Sequence, residues 1–263
     1  KRWLASKQWD PKMFDYLILG VTIGQPKIFY GGPWSAALIG ADNIPGLLVS
    51  QACSTSTVGI FQAAMGVETG FCKNAYTLFS DRCSNGPHTI WPNPMGPGGE
   101  VISENWMMEH FNYDPWGGAS MIQTAENVAS LNGVTREECD QVALRRYVQY
   151  TEALANDRAF QKRYMFPVEV QLSKKKTLVI ESDEGITETT AEGLAKLRPV
   201  LPNGAHTFGA QTHPADGNCG LIVTTQEKAR ELSSDPNIEI QIVSCGYSRV
   251  EKAQMAKAPV PAA

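Results

Sequence analysis

Short apolar runs separated by small and hydroxylated residues set the rhythm of the first third of the chain. Phe14-Asp-Tyr-Leu-Ile-Leu-Gly20 predicts a buried strand ending in glycine. Gly31-Gly-Pro-Trp34 reads as a turn leading into a helix over 34–39, and Gly40 to Pro45 as the loop before a second buried strand, Leu47–Val49. Val58, Phe61 and Met65 then recur at i, i+3 and i+7, which is one face of a helix. Tyr76-Thr-Leu-Phe79 predicts the next strand. Strand and helix in alternation imply an α/β layer architecture.

The pattern breaks between Asn85 and Gly118, where Pro87, Pro92, Pro94, Pro97 and Pro115 interrupt it. Such a stretch predicts a functional loop or an inserted lid. Its aromatics, Trp91, Trp106, Phe111, Tyr113 and Trp116, need burial: they either pack the loop onto the body or line an acyl pocket. Helical spacing returns at Ser120 to Leu131, with Met121, Ala125 and Val128 on one face. Thr135-Arg-Glu-Glu138 has capping-box spacing and opens a helix through Val142, Arg146 and Tyr150. Residues 168–172 and 177–181 predict a hairpin with Lys174-Lys175-Lys176 at its tip, and 190–196 a further helix. Small and turn residues from Gly204 to Gly220 lead to a strand at 221–223 and a last helix at 227–232.

Of the 263 residues, 43% are hydrophobic and 19% charged, the balance of a folded domain with a substantial core. The net charge of −4 and pI near 5.6 argue against nucleic acid as a partner. The lysine run at 174–176 is either a solvated turn or a contact for a phosphorylated ligand. Apolar stretches such as Tyr16–Gly20 are far too short to span a bilayer, so no membrane partner is expected. The six cysteines, at 53, 72, 83, 139, 219 and 245, form no C-x-x-C pair and no zinc or disulfide spacing. No metal site is expected, and a reducing, cytoplasmic setting fits.

Candidate chemistry concentrates at Cys53. It lies between the strand at 47–49 and a helix whose start offers Ser54, Thr55 and Ser56 as capping residues. A helix N-terminus favours thiolate over thiol, as in the strand–nucleophile–helix elbow of hydrolases. The same local pattern also fits a small inert cysteine in the core.

Six segments, taken in order, resemble the thiolase family of acyl-CoA acyltransferases. The family's C-[GA]-S-G-like turn is matched by Cys53-Ser-Thr-Ser56 and its M-G-x-T-A-E-x-V-A segment by Met121-Ile-Gln-Thr-Ala-Glu-Asn-Val-Ala129. Val134-Thr-Arg-Glu-Glu-Cys-Asp140 matches a (I/V)-(S/T)-R-E-E-x-D helix start. An acidic pair and T-x-E-x-L-A-K-L-x-P helix correspond to Asp183-Glu184 and Thr190 through Pro199. Thr207-Phe-Gly-Ala-Gln-Thr-His-Pro-Ala-Asp-Gly217 stands for the glycine-rich T-A-G-N-A-S-G-x-N-D-G loop, and Ala258-Pro-Val-Pro-Ala262 for a G-P-V-P-A signature.

The resemblance implies a thiolase-like layered αβα fold, of which this chain holds the first half plus an inserted loop domain. It divides the sequence into an N-terminal part with the nucleophile (1–84), the inserted domain on the coenzyme A side (85–205), a return to the first half (206–250) and the start of a further half (251–263). It implies acyl transfer from a 3-oxoacyl-CoA, with Cys53 as nucleophile. Met121 and Ser120 would fall on the acyl side, Gly209 and Thr212 beside the pantetheine. Coenzyme A enters as substrate and no resident cofactor is expected. The family's N-E-A-F turn, histidine-bearing G-H-P segment and C-x-G-G-G turn have no match here, nor does its first strand, which implies a longer polypeptide. Thr212-His213-Pro214 resembles G-H-P but falls in the register of the glycine-rich loop, so His213 is not read as the base. Asp216 reads as a cap on the turn before Leu221 rather than as a contact to substrate.

Two departures bear on specificity. Ser80-Asp-Arg-Cys-Ser84 replaces the usual G-G-x-E-x-M-S, and Ser120 replaces a common histidine. The Trp- and Pro-rich loop is similar to that of thiolase subunits acting on aryl-substituted succinyl-CoA, such as benzoylsuccinyl-CoA. The resemblance further implies a homodimer or tetramer, and in that branch pairing with a small zinc-finger, OB-fold-like subunit. Two other readings of the same residues are a non-catalytic acyl-CoA-binding subunit and a ketosynthase-type condensing enzyme.

Overall fold

The computed structural model describes residues Lys1–Ala263. In chain order it holds α1 (Arg2–Ser6), β1 (Tyr16–Gly20), α2 (Gly31–Ile39), β2 (Gly46–Val49), α3 (Thr55–Glu68) and β3 (Asn74–Asp81). The hairpin β4 (His88–Pro92) and β5 (Val101–Asn105) follows, then α4 (Trp106–Asn112), α5 (Met121–Asn132), α6 (Arg136–Ala153) and the short α7 (Ala155–Arg158). A second hairpin, β6 (Val168–Ser173) and β7 (Lys176–Ile180), precedes α8 (Ala191–Ala195), β8 (Gly217–Thr224), α9 (Gln226–Leu232) and α10 (Pro259–Ala262). No helix is long and apolar enough to cross a membrane. The residues divide into two compact units: Lys1–Phe111, His213–Tyr247 and Ala262–Ala263 in one, Asn112–Thr212 and Ser248–Pro261 in the other.

The first unit is built on a four-stranded sheet of order β2-β1-β3-β8. β1 pairs in parallel with β2 and β3, while β8 runs antiparallel to β3 with Phe79 opposite Cys219. Successive side chains of a strand point to opposite faces, and β1 uses both. Leu17 and Leu19 join Phe14, Ala36, Ile39 and Tyr76 in one core cluster. Ile18 joins Ala63, Ala75 and Val223 in the other. α2 and α3 thus cover opposite faces, giving an αβα layering.

The packing departs from the hydrophobic pattern in four places. β2 is not a buried strand: it is the sheet edge, and Leu48 stays 37% exposed. The face that α3 buries is Thr55, Gly59 and Ala63, not Val58, Phe61 and Met65. A Cβ on Gly59 would stand 2.5 Å from the Phe79 ring, so only a small residue lets the helix lie this close to the sheet. Met65 is exposed, and Phe61 meets Tyr247 edge-on at 5.6 Å. α2 begins at Gly31, with both glycines buried inside its first turn. Finally, residues 88–112 are ordered as a hairpin and helix, and Trp91, Phe111, Tyr113 and Trp116 remain exposed rather than buried.

The second unit gathers around α5 and α6. Thr135 and Glu138 form the expected capping box, each side chain accepting from the other's backbone N–H. Within α6 Arg136 pairs with Asp140 at 3.2 Å, and it reaches out to donate to the Leu194 carbonyl of α8 at 2.8 Å. On α5 the buried side chains are Thr124 and Ala129, with Met121, Ala125 and Val128 half-buried around them. The hairpin β6–β7 forms as predicted, with Lys174 and Lys175 in its turn and Lys176 in the strand.

Candidate functional site

Cys53 lies exposed in the turn that joins β2 to α3. The turn is held by hydroxyls that sequence reasoning assigned to helix capping. Ser54, the residue before the helix, makes no side-chain cap; its Oγ instead donates back to the Gln51 carbonyl at 2.9 Å. Thr55 Oγ1 donates to the Ala52 carbonyl at 2.7 Å and accepts from the Gln51 N–H at 2.7 Å. No side chain therefore accepts from the first turn of α3, whose N–H groups form the positive end of the helix dipole beside Cys53.

Ala52, immediately before the nucleophile candidate, has φ of 45°. A non-glycine residue in this left-handed region costs on the order of 1–3 kcal/mol and persists only where its surroundings impose it. Its carbonyl is gripped by three donors: Thr55 Oγ1, the Thr55 N–H at 3.1 Å, and Thr22 Oγ1 at 3.2 Å. Thr22 follows the end of β1 and is itself fixed. Its N–H and that of Ile23 both donate to Asp81 Oδ1 at 2.8 Å, and its carbonyl accepts from Trp106 Nε1 at 3.2 Å.

Through Trp106 the aromatic segment reaches this turn. Glu104 binds the hairpin to α4, accepting from Trp91 Nε1 at 2.8 Å and lying 3.3 Å from His110 Nε2, while His110 Nδ1 sits 2.6 Å from the Trp106 carbonyl. The departure segment Ser80–Ser84 is likewise anchored. Ser84 donates to Asp216 through its N–H at 2.8 Å and through its hydroxyl. These hydrogen bonds, with Arg82 adding its charge, hold the Asp216 carboxyl below its ordinary value. Burial pushes up the thiols of Cys72, Cys83, Cys139 and Cys219, which keeps them protonated, and for Cys83 the charge of Asp81 adds to the effect.

The other site candidates lie in the second unit. Ser120 caps α5, its Oγ accepting from the Gln123 N–H at 3.2 Å, and Met121 opens the helix half-buried. Gly209 and Thr212 lie exposed on the loop after Thr207. A Cβ on Gly209 would meet Leu194 at 2.5 Å, so the absence of a side chain here lets the loop pack against α8. Helix and loop are joined by Glu126, whose carboxylate accepts from the N–H groups of Ala205 at 2.9 Å and His206 at 2.8 Å. Burial opposes ionisation of Glu126, but these two N–H groups and the His206 ring outweigh it and lower its pKa. Ser120, Met121, Gly209 and Thr212 thus belong to one body, and Cys53 to the other.

Sequence reasoning missed Thr22, Asp81 and Glu126. Glu126 lies inside the Met121–Ala129 match, where the motif gives it no role, and Asp81 inside the Ser80–Ser84 departure. Thr22 has no local signal, because its partners lie 30 to 84 residues away.

The family model described as "Thiolase, N-terminal domain" matches residues 2–227. The chain is 28% identical over 259 residues to the 3-ketoacyl-CoA thiolase of Pseudoalteromonas translucida, covering 96% of this chain and 62% of that protein. To the acetyl-CoA acetyltransferase of Allochromatium vinosum it is 27% identical over 275 residues, covering 98% of this chain and 66% of the relative. The crystal structure of the Bacillus anthracis acetyl-CoA acetyltransferase superposes with a TM-score of 0.81 at 26% identity, over 96% of this chain and 64% of the other. The chain spans less than two thirds of the length of these relatives.

Proposed function

Because the chain belongs to the thiolase family, through a match over residues 2–227, we propose that it supplies the nucleophile for thiolytic cleavage of a 3-oxoacyl-CoA. The observation that carries the proposal is the exposed Cys53 in a strained, clamped turn before an uncapped helix N-terminus. The Cys53 thiolate attacks the keto carbon, and the bond between that carbon and its α-carbon breaks. The electron pair leaves on the acyl-CoA enolate, which takes a proton and departs. The thiol of free coenzyme A, giving up its proton, then attacks the cysteine thioester and releases the second acyl-CoA with the Cys53 thiolate restored. Both tetrahedral stages need hydrogen-bond donors for the oxyanion, and both proton transfers need a general acid or base. We assign neither role to His213.

In this reading residues 85–205 are the inserted segment that meets coenzyme A. Ser120 and Met121 face the acyl group, while Gly209 and Thr212 lie along the pantetheine. Coenzyme A is substrate, and the six unpaired thiols support a reducing, cytoplasmic setting. We further propose a bulky aromatic acyl substrate of the benzoylsuccinyl-CoA type. Its support is Trp106, pinned to Thr22 next to the nucleophile turn, with Trp91 held by Glu104 nearby in sequence and structure. The assembly is proposed as a dimer or tetramer that takes up a small zinc-finger, OB-fold-like subunit.

Iodoacetamide labelling of the full-length protein tests the central reading. Rapid alkylation of Cys53 that coenzyme A slows is the expected result. An unreactive Cys53, or one indifferent to coenzyme A, would leave only a non-catalytic acyl-CoA-binding subunit. Transfer to a carrier protein but not to free coenzyme A would move the assignment to a condensing enzyme. The aromatic assignment fails if acetoacetyl-CoA is turned over and an aryl-substituted succinyl-CoA is refused.

A further inference from the structure

Thr22 has every one of its polar groups engaged, and one of them reaches the nucleophile turn. Its N–H goes to Asp81, its carbonyl to the Trp106 indole, and its hydroxyl to the Ala52 carbonyl. It is half-buried, sits just beyond the end of β1, and shares the Asp81 carboxylate with the next residue, Ile23. We propose that Thr22 is a positioning residue for Cys53, acting through the Ala52 carbonyl, with Asp81 holding Thr22 in place. The inference rests on the reading of Cys53 as nucleophile.

The physical link is the Ala52–Cys53 peptide. A peptide unit is planar and, in this chain, trans throughout, so the carbonyl of Ala52 and the N–H of Cys53 point in opposite directions within one plane. Fixing the carbonyl fixes the plane, and with it the N–H of Cys53 and the starting direction of its side chain. Ala52 would otherwise relax from φ of 45° toward the ordinary negative region, rotating that plane. Thr55 restrains the carbonyl from within the turn's own helix. Thr22 is the restraint that comes from the sheet, through β1 and, by Asp81, through β3. The nucleophile is thereby referred to the rigid part of the unit rather than to the helix end alone. Small displacements of a reacting group cost large factors in rate, which is what makes such a restraint matter.

Thr22→Val in the full-length protein removes the hydroxyl and keeps the branched shape, the N–H and the carbonyl. The expected result is an acyl-transfer kcat lowered about tenfold with KM for coenzyme A nearly unchanged, and slower alkylation of Cys53 by iodoacetamide across the pH profile. Thr22→Ser, which restores the hydroxyl, should recover both. Asp81→Asn, which keeps an acceptor but removes its charge, should show the same pattern to a smaller degree and covers the case in which Thr22→Val does not fold. Alkylation and kcat unchanged in a folded Thr22→Val or Asp81→Asn variant would overturn the proposal, as would a Thr22→Ser variant as impaired as Thr22→Val. If the wild type transfers no acyl group while alkylation still depends on the Thr22 hydroxyl, the enzymatic reading falls and the positioning role stands.

Discussion

α3 and α6 begin in opposite ways. At the start of α6, Thr135 and Glu138 satisfy each other's backbone N–H groups, yet the helix buries none of its eighteen residues fully. At the start of α3 the hydroxyls of Ser54 and Thr55 turn away from the helix and staple the preceding turn, while Thr55, Gly59 and Ala63 are packed onto the sheet. Local capping is worth about 1 kcal/mol and is most needed where tertiary contacts are few. α3 has the sheet to hold it, so its N-terminus can be left open and its capping residues used to hold Ala52 at positive φ. The difference between the two helices is the difference between one that caps its own N-terminus and one whose first hydroxyls hold the turn carrying Cys53.

The comparison can be broken most sharply at Cys53. Cys53→Ala in the full-length protein should abolish acyl transfer and leave the melting temperature unchanged; retained turnover would remove the reason for leaving α3 uncapped. Gly59→Val tests the packing side. With a Cβ 2.5 Å from Phe79, the substitution should cost about 3 kcal/mol, read by urea denaturation, and an unchanged midpoint would show that α3 is not held by close approach. Glu126→Gln tests the clamp of the second unit and should cost about 2 kcal/mol at neutral pH, since the amide keeps one acceptor oxygen for the two N–H groups and that oxygen carries no charge. The folded pKa of Glu126 lies below its ordinary value, so this stabilisation is present above that value and is lost as pH falls through the folded one. The gap between wild type and Glu126→Gln should therefore close in acid, and a pH-independent gap would locate its cause in packing. The smallest effect is expected for Thr135→Ala, about 1 kcal/mol in denaturation with no change in acyl transfer.

The hydrophobic pattern located most elements because period-2 and period-3.6 spacings are local properties. β1, β3, the hairpin β6–β7 and the capping box of α6 lie where the pattern puts them. It misassigned the buried face of α3 because hydrophobicity was taken as the marker of burial. Distance of approach decided otherwise: Gly59 and Ala63 allow a closeness to β1 and β3 that Phe61 and Met65 do not. Within the 85–118 stretch the pattern hid a hairpin and a helix for a related reason. Pro87, Pro92, Pro94 and Pro97 break helical spacing but fall at the ends of β4 and around the hairpin turn, where a missing N–H is tolerated, and Pro115 falls in the turn after α4.

What the sequence determined by itself is the alternation of elements, the family and the candidate nucleophile, since each is written in residues close along the chain. The conformation of the turn that carries Cys53 was decided by tertiary structure. Ala52 carries no residue-level sign of a positive φ, and its carbonyl is held in part from Thr22, thirty residues earlier, which Asp81 fixes from 59 residues later. A strained backbone is stable only when several distant groups oppose its relaxation at once, and that convergence exists only in the folded chain.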